Sequence, residues 1–157
     1  LTTTEYGSIE REIHVEASPD PVFDVLTQPE HLRQWWPDEV ELDAVAGATG
    51  ELVWGDDETP RAHVAPITVV DVDRPHRFVF RWAHPEGETA TPSNSFLVTF
   101  TLEPSGSGTR LRMVEVGFRE QGWEAAVLEE QYRDPCHGWD LHLPRLVRYV
   151  AETVATR

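Results

Sequence analysis

Apolar and polar residues alternate near the start of the chain. Over residues 9–16, the odd-numbered positions are apolar apart from Arg11, and the even-numbered positions are all Glu or His. A period of two places successive side chains on opposite faces of a β-strand. The alternation therefore predicts a first strand with one buried and one solvated face.

Two short segments that each begin with proline follow this strand. Ser18 is a typical N-cap residue, and Pro19 and Pro21 fall in a first helical turn, where backbone N–H groups have no helical partner. Apolar residues at 22, 23, 25 and 26 predict a short amphipathic helix that ends near residue 27. Pro29 begins a second short helix, and Pro37 ends it.

From residue 39 to residue 118, turn signals separate six extended segments. The turns are predicted at 47–50, 56–60, 73–76 and 104–108, all rich in Gly, Pro, Asp or Ser. Strands are predicted from residue 39 and over 51–54, 61–72, 77–83, 96–102 and 111–118.

The last segment changes to a helical period. Asp134-Pro135 predicts an N-cap and first helical residue. An apolar stripe follows at spacings of four, three and four residues. It consists of Trp139, Leu143, Leu146 and Val150, and we expect Leu141, Val147 and Val154 to widen it. Pro144 lies within the helix and is predicted to kink it.

The predicted order, β–α–α–(β)6–α, indicates an α+β architecture of one sheet and one long terminal helix. We predict a single domain over residues 1–157, with its core in residues 9–154. A helix laid across a curved antiparallel sheet of six or seven strands leaves a gap beneath it.

Charge and composition exclude several classes of protein. The net charge of −15 disfavours binding to phosphate backbones and to anionic membrane surfaces. No apolar run approaches the length of a membrane span, and the first residues lack the features of a secretion signal, so we expect a cytoplasmic protein. Cys136 is the only cysteine, which excludes an internal disulfide.

Several motifs resemble those of a known superfamily. They are Ile13-His14-Val15-Glu16-Ala17-Ser18-Pro19, Val22-Phe23-Asp24-Val25-Leu26-Thr27, Pro29-Glu30-His31-Leu32-Arg33-Gln34-Trp35-Trp36-Pro37 and His137-Gly138-Trp139. The chain resembles the START-related, birch-pollen-allergen-like SRPBCC superfamily, and within it the branch related to the activator of heat-shock-protein-90 ATPase. The likeness covers residues 9–150 and implies a helix-grip fold with a ligand-binding cavity.

Large aromatic residues are the main candidates for the lining of that cavity, because aromatic rings with a few polar tips are usual in small-molecule sites. The alternative is a solid core in which the rings contact only one another. The candidate ligand-binding residues are Trp35, Trp36, Trp54, Phe80, Trp82, Phe96, Val98, Met113, Glu115, Trp139 and Leu143.

One polar residue is expected to point inward and orient a ligand. Arg11, Arg112 and Glu115 all lie on predicted strands, and Glu115 is our choice among them. The alternative for Glu115 is a solvent-facing strand residue.

The sequence gives little indication of a metal site or of a catalytic nucleophile. His137 and His142 are five residues apart, whereas two ligands on one helical face need a spacing of four. Adjacent Cys136 and His137 cannot face each other on a helix. We therefore predict no catalytic residue, no metal and no cofactor.

Three functions stay open at this point. The first is a binding protein for a small apolar or amphipathic molecule, as a monomer or a homodimer. The second is a cyclase, hydrolase or lyase acting on an aromatic or polyketide-like substrate, with Glu115 and His142 as candidate titratable groups. The third is an interaction protein that regulates a chaperone, which requires an exposed apolar patch.

Overall fold

A computed structural model describes residues 8–56, 58–85, 87–117 and 125–154; for residues 125–135, 137 and 154 it describes the backbone only. The helices are α1 (Pro19–Thr27), α2 (Pro29–Trp35) and α3 (Ala125–Tyr149), which continues as a π-helical turn over Val150–Val154. The strands are β1 (Ser8–Val15), β2 (Glu39–Glu41), β3 (Thr49–Trp54), β4 (His63–Asp73), β5 (Arg77–Trp82), β6 (Phe96–Ser105) and β7 (Gly108–Val116). The predicted order of elements is confirmed.

The seven described strands form one antiparallel sheet in the order β1-β7-β6-β5-β4-β3-β2. Every pair except β1–β7 joins strands that follow each other in the chain. The sheet is therefore a series of hairpins, and β1 lies at one edge, where it pairs with the last strand, β7. The register between β4 and β5 shifts between Val69 and Asp71, and a bulge of this kind increases the local bend of a strand. Together with the helices, this sheet confirms the α+β, helix-grip fold.

The hairpin turns follow the turn residues of the sequence. Strand β6 ends at Ser105 and β7 begins at Gly108, which leaves a two-residue connection. Gly106 has a φ of 62°, a conformation that glycine adopts without the steric cost of a side chain.

The first two helices lie against the same core as the sheet. Helix α1 buries the apolar residues predicted for it, among them Val22 and Phe23. Ser18 occupies the N-cap position, but its side chain makes no capping hydrogen bond. The indole N–H of Trp35, at the end of α2, donates to the backbone carbonyl of Val25 in α1 at 3.0 Å, which fixes the two helices relative to each other.

Helix α3 begins earlier than predicted. Its described part extends from Ala125, so Asp134 and Pro135 lie inside it rather than at its N-terminus. Residues 125–131 are mostly Ala, Leu, Glu and Gln, which favour helix strongly enough to extend it upstream of the proline. Pro144 does lie within α3 as predicted; the kink stays a prediction.

The buried stripe of α3 is narrower than predicted. Trp139, Leu143, Leu146 and Val150 are buried, and Val147 is half-buried against the core. Leu141 is 59% exposed, which contradicts its predicted place in the stripe. It follows Trp139 by two residues, and two residues turn a helix by about 200°, so its side chain lies on the opposite face. The side chain of Val154 is outside the described residues.

Candidate ligand-binding pocket

The inner face of the sheet carries one carboxylate. In the cross-strand register, Glu115 on β7 lies between Ile9 on β1 and Val98 on β6, and both of these neighbours are fully buried. Only 1% of Glu115 is exposed. Its place in this row follows from the period of two along β7, since Leu111 and Met113 face inward as well.

Two indole rings hold the Glu115 carboxylate. The Nε1–H of Trp82, on β5, donates to Oε2 at 2.6 Å, and the Nε1–H of Trp139, on α3, donates to Oε1 at 2.8 Å. The carboxylate therefore links the sheet to the terminal helix. Two donors from different elements on one buried carboxyl group fix the position of α3 over the inner face.

Burial raises the pKa of Glu115 to about 7, because the charged form is cut off from water. The two indole donors oppose this effect, since they favour the ionised carboxylate. Glu115 thus changes its charge near neutral pH.

Trp36 lies at the centre of an aromatic cluster. Its ring centroid is 5.2 Å from those of both Trp82 and Trp139, and 6.1 Å from that of Trp54. Trp36 is the C-cap residue of α2, and its backbone N–H still donates to the Leu32 carbonyl. The end of α2 therefore places this ring between the sheet and α3.

A pocket of about 350 Å³ opens beside this cluster. Residues from α3, from strands β3 to β5 and from the end of α2 contribute to its largely apolar wall. The lining residues are Trp36, Trp54, His63, Trp82, Gly138, Trp139 and His142.

Gly138 leaves open space at this pocket. A Cβ atom built on Gly138 has no neighbour within 4 Å outside the helix's own backbone. Any larger residue at this position would extend into that space. The glycine therefore keeps room between α3 and the facing strands.

His142 is the half-buried polar residue of the wall. Burial lowers its pKa, the positive charge of Arg145 lowers it further, and an interaction with the Trp35 backbone raises it to a smaller extent. Its Nδ1 is buried and has no hydrogen-bond partner among the described residues. The second histidine of the wall, His63, is exposed, and its ring lies 5.5 Å from that of Trp54.

The eleven predicted ligand-binding residues divide into three groups. Trp36, Trp54, Trp82 and Trp139 line the pocket. Glu115 lies directly behind two of them. The others belong to the packed interior, either fully buried or, for Phe96, partly buried; they are Trp35, Phe80, Phe96, Val98, Met113 and Leu143.

Arg11, Arg112 and Glu115, the three polar candidates, lie at different positions in the sheet. Arg112 points to the outer face, where it pairs with Glu10. Arg11 lies on the edge strand β1 and binds Asp140 of α3 at 2.7 Å. Glu115 alone of the three is fully buried.

His63 and Gly138 line the pocket but were not among the predicted ligand-binding residues. Gly138 could have been found, because glycine within an amphipathic helix costs about 1 kcal/mol relative to alanine and therefore indicates a special role. His63 offered no signal, because only the pairing of β3 with β4 brings it opposite Trp54.

Other features of the structure bear on the remaining predictions. No helix within the described residues is both long and apolar enough to cross a membrane. The described side chains include no group of three or more His, Cys, Asp or Glu placed to hold a metal ion. The side chain of His137 is outside the described residues, so the expectation that His137 and His142 do not share one face of α3 stays a prediction.

Comparisons with known proteins agree with this geometry. The profile of the family described as "Activator of Hsp90 ATPase homolog 1-like protein" matches residues 16–151. A search of curated proteins gave no match.

Solved structures share the fold at low sequence identity. MLL2253 from Mesorhizobium loti has a TM-score of 0.73 and 20% identity, over 93% of this chain and 98% of that one. The Aha1 dimer from Colwellia psychrerythraea has a TM-score of 0.72 and 17% identity, over 96% and 98%. DynU16, a protein of the dynemicin biosynthetic locus, has a TM-score of 0.71 and 23% identity; the match covers 94% of this chain but 48% of DynU16. By the profile match and the shared fold, the chain belongs to the Activator of Hsp90 ATPase homolog 1-like family, a branch of the SRPBCC superfamily.

Proposed function

We propose that this protein binds a small apolar or amphipathic molecule in the pocket between α3 and the sheet. The observation that carries the proposal is a largely apolar space of about 350 Å³ beside four tryptophans, next to the packed core. This volume is at the lower end of the range of about 300–1,000 Å³ that is usual for ligand sites. Burial of apolar surface, at roughly 25 cal/mol per Å², is the main source of affinity.

A half-buried imidazole in the wall favours an amphipathic ligand. His142 lines the pocket, and burial together with the charge of Arg145 lowers its pKa. A hydroxyl or carbonyl group on the ligand would pair with the neutral ring, which has one donor and one acceptor nitrogen.

The geometry supports binding more than acid–base catalysis. Glu115 is not among the lining residues, and each of its carboxylate oxygens already accepts an indole N–H. A catalytic acid or base has to reach the substrate within hydrogen-bonding distance. That leaves His142 as the only titratable residue in the wall that is at least half-buried, within the described part of the chain.

A partner-binding role has less support. Among the residues whose side chains are described, the large apolar ones that are exposed are Val45, Val70 and Leu141. Three such residues are far fewer than an extended apolar docking surface requires.

Seven residues of this chain line the pocket, and in this proposal they are sufficient for binding without the dimer named for the Colwellia protein. We expect the affinity for a ligand to be independent of protein concentration, which titrations at two concentrations, with light scattering of the same samples, will check.

The proposal is tested by filling the pocket from its own wall. The substitution Gly138→Leu adds a side chain into open space, so the fold is expected to persist while the pocket is occupied. The uncharged dye N-phenyl-1-naphthylamine is expected to bind the unsubstituted protein and quench its tryptophan fluorescence. With Gly138→Leu, we expect its affinity to fall at least about tenfold.

Ala151→Leu is the matched control. It adds the same side chain at an exposed position just beyond α3 and is expected to leave dye binding unchanged. Circular dichroism will verify that both variants are folded. No binding to the unsubstituted protein at the solubility limit of the dye, or equal binding to all three proteins, would refute the proposal.

A further inference from the structure

The indole-lined pocket also indicates a class of ligand. Resting on the function proposed above, we propose that the ligand carries a quaternary or tertiary ammonium group, which is held against the tryptophan rings of the pocket. The arrangement of the rings, the direction of their N–H groups and the charges around them all favour a cation.

The pocket rings are inclined to one another. The plane of Trp36 makes an angle of 72° with that of Trp54 and 60° with that of Trp82, and the planes of Trp54 and Trp82 meet at 50°. The rings that line the space therefore stand at several orientations to one another. Trp54 and Trp82 are half-buried and contribute the more open aromatic surface, whereas Trp36 is nearly fully buried. The face of an indole attracts cations more strongly than that of any other side chain, and the attraction grows when the site is shielded from water.

The donors of two pocket rings are directed away from the pocket. The N–H groups of Trp82 and Trp139 both point to Glu115, so these rings contribute carbon surface rather than hydrogen-bond donors to the wall. A hydrogen bond to an acceptor that carries negative charge also polarises the indole and increases the electron density of its ring. Both effects favour a cation over an anion or a hydrogen-bond acceptor.

The charges around the pocket act in the same direction. Glu115 places an ionisable carboxylate immediately behind the aromatic wall, where only 1% of the residue is exposed. No arginine is among the lining residues of the described chain, and burial and the charge of Arg145 lower the pKa of His142, which favours its neutral form. Arg145 is only partly buried, so water screens its charge.

The test compares two probes of the same shape. They are 4-(trimethylammonio)benzyl alcohol and 4-tert-butylbenzyl alcohol, which differ by a charged nitrogen in place of a carbon. Calorimetric titration at pH 8 in 150 mM NaCl is expected to show that the cation binds about tenfold more tightly or better. Gly138→Leu is expected to abolish the binding of both probes.

Two variants examine the source of the preference. Trp54 is half-buried at the pocket, and Trp54→Leu keeps an apolar side chain there while it removes a ring. We expect this substitution to bring the ratio of the two affinities toward one. Glu115→Gln is expected to lower the affinity for the cation and leave that for the neutral alcohol nearly unchanged. A purely structural role of either residue would weaken both probes equally, and an unchanged ratio in both variants would overturn the inference.

The remaining outcomes separate this inference from the proposed function. Equal affinities, or tighter binding of the neutral alcohol, would refute the ammonium class and leave an apolar binding site standing. If neither probe binds at millimolar concentration, the proposed function fails as well. If the cation binds Gly138→Leu as well as it binds the unsubstituted protein, its site is the acidic surface, and the inference is wrong.

Discussion

At the scale of the single residue, Glu115 is the feature that connects the fold to the pocket. Its inward direction could be predicted from the alternation of Leu111, Met113 and Glu115 along one strand. Its partners could not. Trp82 and Trp139 are 33 and 24 residues away, and neither spacing carries a local signal. Only the packing of β5, β7 and α3 brings the two N–H groups to one carboxylate.

Burial of Glu115 predicts a pH dependence of stability with a definite sign. The pKa is about 7 in the folded protein and has its ordinary value of 4.5 in the unfolded chain. The folded protein therefore binds the proton more tightly, and the stability that Glu115 contributes is fully present below pH 4.5 and is lost as the pH rises through 7. The difference corresponds to on the order of 3 kcal/mol. Relative to Glu115→Gln, which cannot ionise, we expect the unsubstituted protein to lose about this much free energy of unfolding between pH 5 and pH 8.

Urea denaturation at a series of pH values measures this difference. Glu58→Gln removes an exposed carboxylate and serves as the control, since its curve should run parallel to that of the unsubstituted protein. If the curve of Glu115→Gln is also parallel, the raised pKa of Glu115 is wrong.

At the scale of the element, the strands could be predicted more closely than the terminal helix. Turn residues bound each strand locally, so the start of β5 at Arg77 and of β6 at Phe96 agrees with the prediction. The helix start was wrong because Asp134-Pro135 is a local signal, whereas the stability of a helix is summed over its whole length. The exposed Leu141 is an error of a different kind, because its spacing of two residues from Trp139 already places it on the opposite face of a helix.

Gly138 lies where the requirements of the helix and of the pocket conflict. It occupies the interior of α3, where glycine is less favourable than alanine by about 1 kcal/mol, yet its missing side chain leaves space at the pocket. We expect Gly138→Ala to raise the free energy of unfolding by about 0.5–1 kcal/mol and the melting temperature by a few degrees. Local rules of this kind are broken most often at functional sites.

Thermal unfolding followed by circular dichroism measures the stability of Gly138→Ala. Dye titration of the same variant measures how far the added methyl group fills the pocket. The added methyl group should weaken dye binding less than Gly138→Leu does. A variant that is less stable than the unsubstituted protein would mean that the glycine is required by the backbone of α3 and not by the pocket.

At the scale of the whole molecule, the order of elements was sufficient to predict the class of fold, because one sheet and one long helix pack in few ways. The pocket was predicted only in outline. Trp35 and Trp36 are adjacent and chemically identical, yet Trp35 is fixed in the core by its bond to Val25, while Trp36 reaches the pocket wall. Their roles differ because α2 ends at Trp35. Pro37 marks the end of this helix in the sequence, but it does not predict the direction in which each indole points.

The net charge of −15 leads to a last prediction about the whole molecule. The chain has 28 acidic residues against 13 arginines and no lysine, and the arginines that form ion pairs are about a third to a half exposed. Exposed pairs of this kind contribute only about 0–1 kcal/mol each, so the mutual repulsion of the unpaired carboxylates should outweigh them. Salt shortens the Debye length from about 30 Å at 0.01 M to about 10 Å at 0.1 M and thereby weakens this repulsion.

We therefore expect the melting temperature to rise by several degrees between 0.01 and 0.1 M NaCl and to level off above about 0.3 M. A plateau is typical of screening, whereas an effect of salt on hydrophobic burial continues to grow with concentration. A melting temperature that falls with added salt would show that the arginine ion pairs dominate. The acidic surface would then be a stabilising network, and its attraction for a cationic ligand would be correspondingly weaker, because its carboxylates would already be neutralised by arginine.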